Sequence, residues 1–324
     1  MTWIGLDLGG TKVFGVVLDG DEVAHEAKSK TPQTGGPQAI VDSMAAVVDD
    51  LGGVRHADGI GIGAPGLIDR KNGVLKHAPN LAAWEDNFPL GPALAKAVDR
   101  EGDVPVVLGN DVYVGVMGEH RLGAARGKSD VLGIWMGTGV GGGLVLDGRM
   151  HRGAHGLAGE IGHTIVHPGP DGRECGCGGR GHLEAYAGRA SMERRARAEA
   201  AAGRKTSLVE LAGKERMKSS VFAKALEAGD ELAVELIDEA VDAVGTTVAS
   251  VTTLLDLELV VLGGGMGERL GPQLAPRIES TAKSLMFAKD VALRVVATQL
   301  GDAAGAVGAA LMAADAIPRA KRHR

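Results

Sequence analysis

Apolar segments that end directly in glycine clusters are the feature of this sequence that most constrains its fold. The run that begins at Ile4 meets Gly9-Gly10, Val131 to Met136 meets Gly137, and Leu257 to Leu262 meets Gly263. Short apolar runs bounded by such turns are typical of buried strands, and glycine lets the backbone approach a ligand closely. Because open α/β sheets bind ligands beyond the ends of their strands, the pattern predicts an α/β protein with several ligand-binding turns.

Helical patterns alternate with these strands along the chain. Further strands are predicted at Val13 to Leu18, Gly59 to Ile62 and Val104 to Leu108. Helices are predicted at Pro37 to Leu51, Pro92 to Val98, Leu183 to Ala202, Ala233 to Leu255 and Ala303 to Ala316. A strand followed by glycine and threonine occurs at Asp7 to Thr11 and again at Met136 to Thr138, which indicates two related halves.

Length and charge limit the classes of protein to which the chain can belong. A chain of 324 residues exceeds what one hydrophobic core usually holds, which predicts two lobes. The 35 basic and 41 acidic residues give a net charge of −6, which argues against a surface that binds nucleic acid. The sequence shows no signal-peptide pattern and no apolar span of bilayer length, so we expect a cytoplasmic protein without a membrane partner.

Three glycine motifs are candidates for binding a nucleotide. Their members are Asp7, Gly9, Gly10, Thr11 and Lys12 in the first, Gly137, Thr138 and Gly139 in the second, and Gly263, Gly264 and Gly265 in the third. Backbone N–H groups in such turns can contact phosphate oxygens, and a neighbouring carboxylate can hold a hydrated metal ion. The alternative for each is an ordinary hairpin or strand-to-helix turn. None of them matches the P-loop pattern.

Asn110-Asp111 follows the strand predicted at Val104 to Leu108. A carboxylate in this position can take the proton from a sugar hydroxyl that attacks phosphorus, while an amide holds the ring. Taken alone, an Asn-Asp pair is more often a turn or a helix cap.

The two cysteines, Cys175 and Cys177, are too few for a disulfide framework and predict a metal site. Histidines flank them on both sides, so four tetrahedral zinc ligands are available and the site would be structural. His155 and His167 are alternative ligands that spacing does not exclude. The other interpretation is a pair of reduced cysteines with unrelated histidines.

In this order, the motifs resemble the ROK family of bacterial sugar kinases and related repressors. The resemblance covers essentially the whole chain. It implies an α/β protein with a two-domain actin-like (ribonuclease H-like) sugar kinase fold and a cleft between the lobes. The small domain would comprise residues 1–115 plus 301–324, and the large domain, 116–300, would carry the zinc motif. A homodimer is also implied.

The resemblance assigns roles to individual residues. The three glycine motifs would bind ATP, and Asp111 would be the general base. The sugar would be bound by Gly66, Asn80, Asn110, Asp111, Glu160, His163 and Glu184. Zinc would be bound by His163, Cys175, Cys177 and His182, with His182 standing where the family usually has a third cysteine. One ring nitrogen of His163 would then bind zinc while the other faces the sugar.

The sequence therefore predicts Mg²⁺- and ATP-dependent phosphorylation of a hexose, with glucose converted to glucose 6-phosphate. Fructose, mannose or an N-acetylated amino sugar are alternative substrates, and polyphosphate is an alternative donor. A sugar-sensing repressor would need a helix-turn-helix domain before the first strand, and here the strand begins at residue 3. An actin-like ATPase would share the phosphate loops but would not account for Asn110-Asp111 beside a zinc-held histidine.

Overall fold

A computed structural model describes residues 1–78, 80–82, 84–99 and 104–318. The fold is mixed α/β, and its residues divide into two compact units, Met1–Arg126 with Asp302–Arg324, and Gly127–Gly301. The sequence-based division at residue 115 falls within the helix Asp111–Leu122 of the first unit. Within the described part of the chain, no helix combines the length and apolar character needed to cross a membrane.

The secondary structure elements follow one another in this order. Up to residue 126 they are β1 (Thr2–Leu8), β2 (Lys12–Asp19), β3 (Glu22–Lys30), α1 (Gly36–Asp50), β4 (Gly59–Ala64), β5 (Leu67–Asp69), β6 (Val74–His77), α2 (Leu90–Val98), β7 (Val106–Asn110) and α3 (Asp111–Leu122). They continue with β8 (Val131–Met136), β9 (Val140–Leu146), β10 (Arg149–His151), α4 (Glu184–Ala187), α5 (Arg189–Ala201), α6 (Ser207–Ala212), α7 (Ser219–Glu227), α8 (Glu231–Leu255), β11 (Leu259–Gly263), α9 (Gly264–Leu285), β12 (Arg294–Ala297) and α10 (Ala304–Ala316).

Each unit contains a five-stranded sheet of the same topology. The strand order is β3-β2-β1-β4-β7 in the first unit and β10-β9-β8-β11-β12 in the second. In both sheets the first three strands pair antiparallel and the last three pair parallel. The hairpins β1-β2 and β8-β9 are therefore equivalent, and each carries one of the predicted phosphate motifs. The predicted likeness between the two halves is confirmed at this level.

Helix α10 approaches the first sheet so closely that glycine is required at several contacts. A Cβ atom on Gly5 would lie 1.8 Å from the carbonyl oxygen of Ala306, and one on Gly61 would lie 1.9 Å from that of Ala309. On the other side of the helix, a Cβ atom on Gly308 would lie 1.7 Å from the carbonyl oxygen of Val114 in α3. Many of the glycines in this sequence thus serve backbone packing rather than ligand binding.

Most predicted elements are present, with two instructive differences. The helix predicted at Leu183 to Ala202 is split at Gly188, whose backbone is extended because the next two N–H groups bond to Gly137 and Thr138. Helix α9 was not predicted, since Pro272 and Pro276 lie inside it. The second unit's core packs α8 and α9 around β8 and β11, all four of which contribute fully buried side chains.

Candidate functional site

The first glycine motif is the turn of the β1-β2 hairpin, closed by a bond from Gly9 N to Lys12 O of 2.9 Å. The carbonyl oxygens of Gly9, Gly10 and Thr11 all accept hydrogen bonds from Thr31 or Gln33. Within the described residues, the N–H groups of Gly10 and Thr11 bond to no protein acceptor. The turn therefore presents donors, which suits an anion.

The second motif has the same arrangement. Gly137 N bonds to Gly139 O at 2.9 Å, and the carbonyl oxygens of Gly137 and Thr138 accept from Arg189 N and Ala190 N. The N–H groups of Thr138 and Gly139 have no protein acceptor in the part of the chain that the structure describes. Both hairpins thus turn their carbonyl groups inward and leave two successive N–H groups available to a phosphate.

The third motif joins β11 to α9 at the same sheet edge as the second. Gly263 is the residue before α9, and Gly264 has a φ of 73°. A Cβ atom on Gly263 would lie 2.6 Å from the Trp135 ring, and one on Gly264 would lie 2.9 Å from Met136 O. A Cβ atom on Gly265 would lie 3.7 Å from the Ser219 hydroxyl oxygen, which is an ordinary van der Waals distance. The backbone here is open on one side, beside the Gly137 loop.

Asp7 and Lys12 flank the first turn. Asp7 lies in β1 opposite Gly305 of α10, where a Cβ atom would lie 2.6 Å from the Asp7 carboxylate. Its half-buried carboxylate, next to a donor-lined turn, fits Mg²⁺, which is usually held by one or two carboxylates, waters and phosphates. Lys12 Nζ pairs with Asp302 at 2.5 Å, so its charge is neutralised within its own unit.

Asn110 and Asp111 lie where β7 ends and α3 begins. Asn110 Oδ1 accepts from Val112 N at 3.0 Å and from Tyr113 N at 3.1 Å, so Asn110 is the helix N-cap. Asn110 therefore forms the helix cap that was the alternative interpretation of the Asn-Asp pair. The cap uses only the amide oxygen, and the two Nδ2 donors lie outside it. The Asp111 carboxylate is half-buried and accepts from Val112 N at 2.9 Å.

Gly66 and Asn80 lie in the segment around the small β5-β6 hairpin. Gly66 is exposed and has a φ of 94°, and a Cβ atom there would lie 2.0 Å from His77 O, so glycine is required by the backbone. Asn80 is exposed, and its carbonyl oxygen lies 2.6 Å from a notional Cβ on Gly10. Asn80 is thus brought next to the first glycine turn.

Four cysteine and histidine side chains converge in the second unit. The ligand atoms of His163, Cys175, Cys177 and His182 all lie within 4.8 Å of one another. Cys175 Sγ is 4.0 Å from His163 Nδ1, and Cys177 Sγ is 3.2 Å from His182 Nδ1. Among the described residues, neither His155 nor His167 belongs to this group. Sequence spacing had left those two histidines open.

The group fits a zinc ion by size and chemistry. With Zn–S bonds of about 2.3 Å and Zn–N bonds of about 2.0–2.1 Å, the edges of a zinc tetrahedron are about 3.3–3.8 Å. The four ligand atoms lie within 4.8 Å of one another, so small rotations of their side chains would bring them to these distances. Burial raises the pKa of the Cys175 thiol to about 11, so a metal that binds it as thiolate must displace a proton.

Glu184 links this group to the second glycine motif. Its Oε2 accepts from Val140 N at 2.9 Å, directly after Gly139, and its Oε1 lies 3.7 Å from Cys175 Sγ. Glu160 and His163 are both exposed and bracket a short 3₁₀ turn, which rests on β9 through Gly162. The predicted sugar contacts of the second unit therefore lie in one region with the Cys/His group.

One residue of this region was missed at the sequence level. Arg189, the first residue of α5, donates from Nη2 to Thr138 Oγ1 at 2.9 Å and from Nη1 to Met217 O. Because α5 is rich in Arg and Glu, the sequence around Arg189 predicts only a charged side chain exposed to solvent. No local signal in the sequence points to Arg189, because its partner Thr138 is 51 residues away along the chain.

Comparisons with known proteins agree over nearly the whole chain. A profile of the ROK family matches residues 3–316. The glucokinase of Thermotoga maritima is 33% identical over 309 residues, 95% of each protein. The N-acetylmannosamine kinase of Shigella boydii is 32% identical over 317 residues, 97% of this chain and 98% of that one.

Solved structures agree as well. A ROK family glucokinase from Streptomyces griseus, in complex with glucose and AMPPNP, has a TM-score of 0.81 at 32% identity, covering 97% of this chain and 100% of that chain. This likeness confirms the predicted actin-like sugar kinase fold.

Proposed function

Because the chain belongs to the ROK family, we propose that it is an ATP-dependent glucokinase that forms glucose 6-phosphate. The observation that carries the proposal is the pair of equivalent hairpin turns, each with its carbonyl groups bonded inward and two N–H groups available to phosphate. Two such anion-binding turns, together with a carboxylate at a strand end, are what transfer of a phosphoryl group requires.

The proposed nucleotide contacts follow from the geometry of the turns. Gly10, Thr11, Thr138 and Gly139 donate to phosphate oxygens, and Gly263 to Gly265 pack against the adenosine. Asp7 holds the hydrated Mg²⁺, which neutralises phosphate charge when bound. The donors of each turn are held in place by hydrogen bonds within their own unit, so each turn is already formed before the nucleotide binds.

The proposed sugar contacts divide by function. Asp111 accepts the proton of the attacking hydroxyl, and the Nδ2 group of Asn110 donates to the ring. Four further side chains hold the other hydroxyls: Asn80, Glu160, His163 and Glu184. The backbone at Gly66 is placed near the ring. Because His163 Nδ1 faces Cys175, its Nε2 is the nitrogen assigned to the sugar. A structural zinc held by His163, Cys175, Cys177 and His182 would fix that orientation.

Glucose is preferred over N-acetylmannosamine as the proposed substrate because the glucose complex of the Streptomyces griseus enzyme supports it. Sequence identity alone separates the two sugars poorly, since the two kinases differ by one percentage point in identity to this chain. A place in glycolysis and a homodimeric state are further parts of the proposal that rest on the family resemblance. A cytoplasmic location is proposed from the sequence pattern alone.

The test is a coupled assay of ADP release with glucose, mannose, fructose, N-acetylglucosamine and N-acetylmannosamine, each with and without Mg²⁺. We expect the highest kcat/KM with glucose, and turnover only with Mg²⁺. A parallel series with polyphosphate in place of ATP separates the two donors. Failure to release ADP with any hexose would refute the kinase proposal, and a clear preference for an N-acetylated sugar would refute the choice of glucose.

A further inference from the structure

Helix α5 is attached to the second phosphate turn by its first two residues. Arg189 N donates to Gly137 O at 3.1 Å, and Ala190 N donates to Thr138 O at 3.0 Å. Two N–H groups that a helix normally leaves without an intrahelical partner are thus used to hold the turn. The Arg189 side chain starts from this point of attachment, and its guanidinium bonds to the Thr138 hydroxyl.

The guanidinium of Arg189 is anchored but not neutralised. It donates to Thr138 Oγ1 at 2.9 Å and to Met217 O, both of which are uncharged acceptors. Three other arginines on or near this helix pair with glutamate: Arg195, Arg197 and Arg204. Arg189 forms no ion pair with any carboxylate of the described residues.

Its surroundings make this charge costly. Burial lowers the pKa of Arg189, and the charge of Glu193, which raises it, is opposed by that of Arg216, which lowers it. A half-buried cation beside a second cation is stabilised most by an anion that reaches both its free donors and the turn. A guanidinium has five N–H donors, and the two bonds above leave several for such an anion.

The hydrogen bond to Thr138 also has a direction. Because a guanidinium can only donate, Thr138 Oγ1 must be the acceptor. The hydroxyl hydrogen of Thr138 is then directed away from Arg189. The Thr138 hydroxyl, the N–H groups of Thr138 and Gly139, and the free guanidinium donors together form a set of donors around one turn.

We propose that Arg189 binds the phosphate chain of the nucleotide together with Thr138, as a phosphate-binding residue additional to the glycine motifs. The inference rests on the proposed function, in which the Gly137 to Gly139 turn binds ATP. Its first role is a direct charge-assisted contact to phosphate, and its second is to orient the Thr138 hydroxyl.

The experiment measures equilibrium binding of AMPPNP and of adenosine by calorimetry, without turnover. Arg189→Gln should raise the Kd for AMPPNP by about 10- to 100-fold, the range for loss of a hydrogen bond to a charged group. Adenosine, which has no phosphate, should bind the variant as it binds the unsubstituted protein. Arg189→Lys keeps the charge but not the forked donors and should show an intermediate loss.

Arg194→Ala is the matched control. Arg194 is an exposed arginine on the same helix, it bonds only to Ser191 among the described residues, and its removal subtracts the same charge. AMPPNP affinity should be unchanged in this variant. Thr138→Val combined with Arg189→Gln completes a double-mutant cycle, and the two losses should be less than additive because the side chains act as a unit.

The results separate cleanly. An unchanged AMPPNP affinity in Arg189→Gln, an equal loss for adenosine and AMPPNP, or an equal loss in Arg194→Ala would overturn the inference. Failure of the proposed function would instead be seen in the unsubstituted protein, which would then bind no AMPPNP and phosphorylate no hexose.

Discussion

Replacing Gly61 by alanine tests whether the close approach of helix α10 determines the stability of the first unit. The added Cβ would lie 1.9 Å from Ala309 O and 2.5 Å from Ala309 C. A carbon–oxygen contact normally requires about 3.3 Å or more, so the helix would have to retreat by roughly 1.4 Å. The obstacle is backbone, which no change of rotamer can remove.

The expected cost is at the upper end of that for overpacking. Such changes cost about 1–3 kcal/mol, and a helix that must move as a body should reach at least about 3 kcal/mol. With about 2–4 °C lost per kcal/mol in a unit of this size, the Tm should fall by about 6–12 °C. Differential scanning calorimetry and urea unfolding measure the change.

Gly15→Ala is the matched control in the same sheet. Its Cβ would meet Val47 Cγ1 at 2.6 Å and Leu51 Cδ1 at 3.0 Å, which are side-chain atoms that can rotate away. Restricting the unfolded chain contributes about 0.4–1 kcal/mol of stability in both variants. We therefore expect a clearly smaller loss in Gly15→Ala. An equal loss in the two variants, or a loss below about 1 kcal/mol in Gly61→Ala, would refute the reasoning.

Three further predictions concern catalysis, the metal and pH. Asp111→Asn should keep glucose binding but lower kcat by about 100-fold or more, the usual contribution of a general base; near-normal turnover in a folded variant would remove Asp111 from the mechanism. Metal analysis should find about one zinc per chain, and His182→Cys and His155→Ala should both retain it. His182→Ala should lose the zinc or bind it weakly, and its glucose affinity should fall as well. Full zinc content and activity in His182→Ala would exclude His182 as a ligand. Burial raises the pKa of Asp230, but hydrogen bonds from Ala233 N and from the Ser207 and Thr206 groups outweigh it, so its net pKa lies below the usual 3.8. The stabilising effect of Asp230 is thus complete above pH 3.8 and is lost as the pH falls through the lower pKa of the folded state. Urea unfolding measured against pH should show a weaker acid dependence in Asp230→Asn. The exposed control Asp242→Asn should match the unsubstituted protein.

The sheets and their glycine turns could be predicted because their signals are local. Buried strands are apolar and short, and β8 was predicted with both of its ends correct. Helix α9 could not be predicted in this way, because Pro272 and Pro276 normally end a helix. Here they lie on a helix whose other face is buried, with Leu270, Leu274 and Ile278 almost fully enclosed. Tertiary burial therefore outweighs the local preference.

The candidate site was predicted in part for the same reason. Two cysteines one residue apart are a local signal. The choice among four histidines depends on how the loop folds, so only the folded structure separates His163 and His182 from His155 and His167. The use of Asn110 as a helix cap required knowledge that α3 begins at Asp111. Arg189 could not be found because its partner Thr138 is distant in sequence.

The two phosphate turns share one backbone arrangement but differ in the charge that supports them. In the first turn, the carbonyl groups are held by the uncharged residues Thr31 and Gln33, and Lys12 is already paired with Asp302 at 2.5 Å. In the second turn, the carbonyl groups are held by the backbone N–H groups of Arg189 and Ala190. The guanidinium of Arg189 bonds to the Thr138 hydroxyl and forms no ion pair among the described residues. A cation that must break an ion pair with a carboxylate before it can bind phosphate contributes less to binding than a cation without such an ion pair. We therefore expect Lys12→Met to raise the Kd for AMPPNP less than Arg189→Gln does, measured by calorimetry at low salt, where charge effects are largest. A larger loss in Lys12→Met would show that Lys12 leaves Asp302 when the nucleotide binds and that the first turn carries most of the charge recognition.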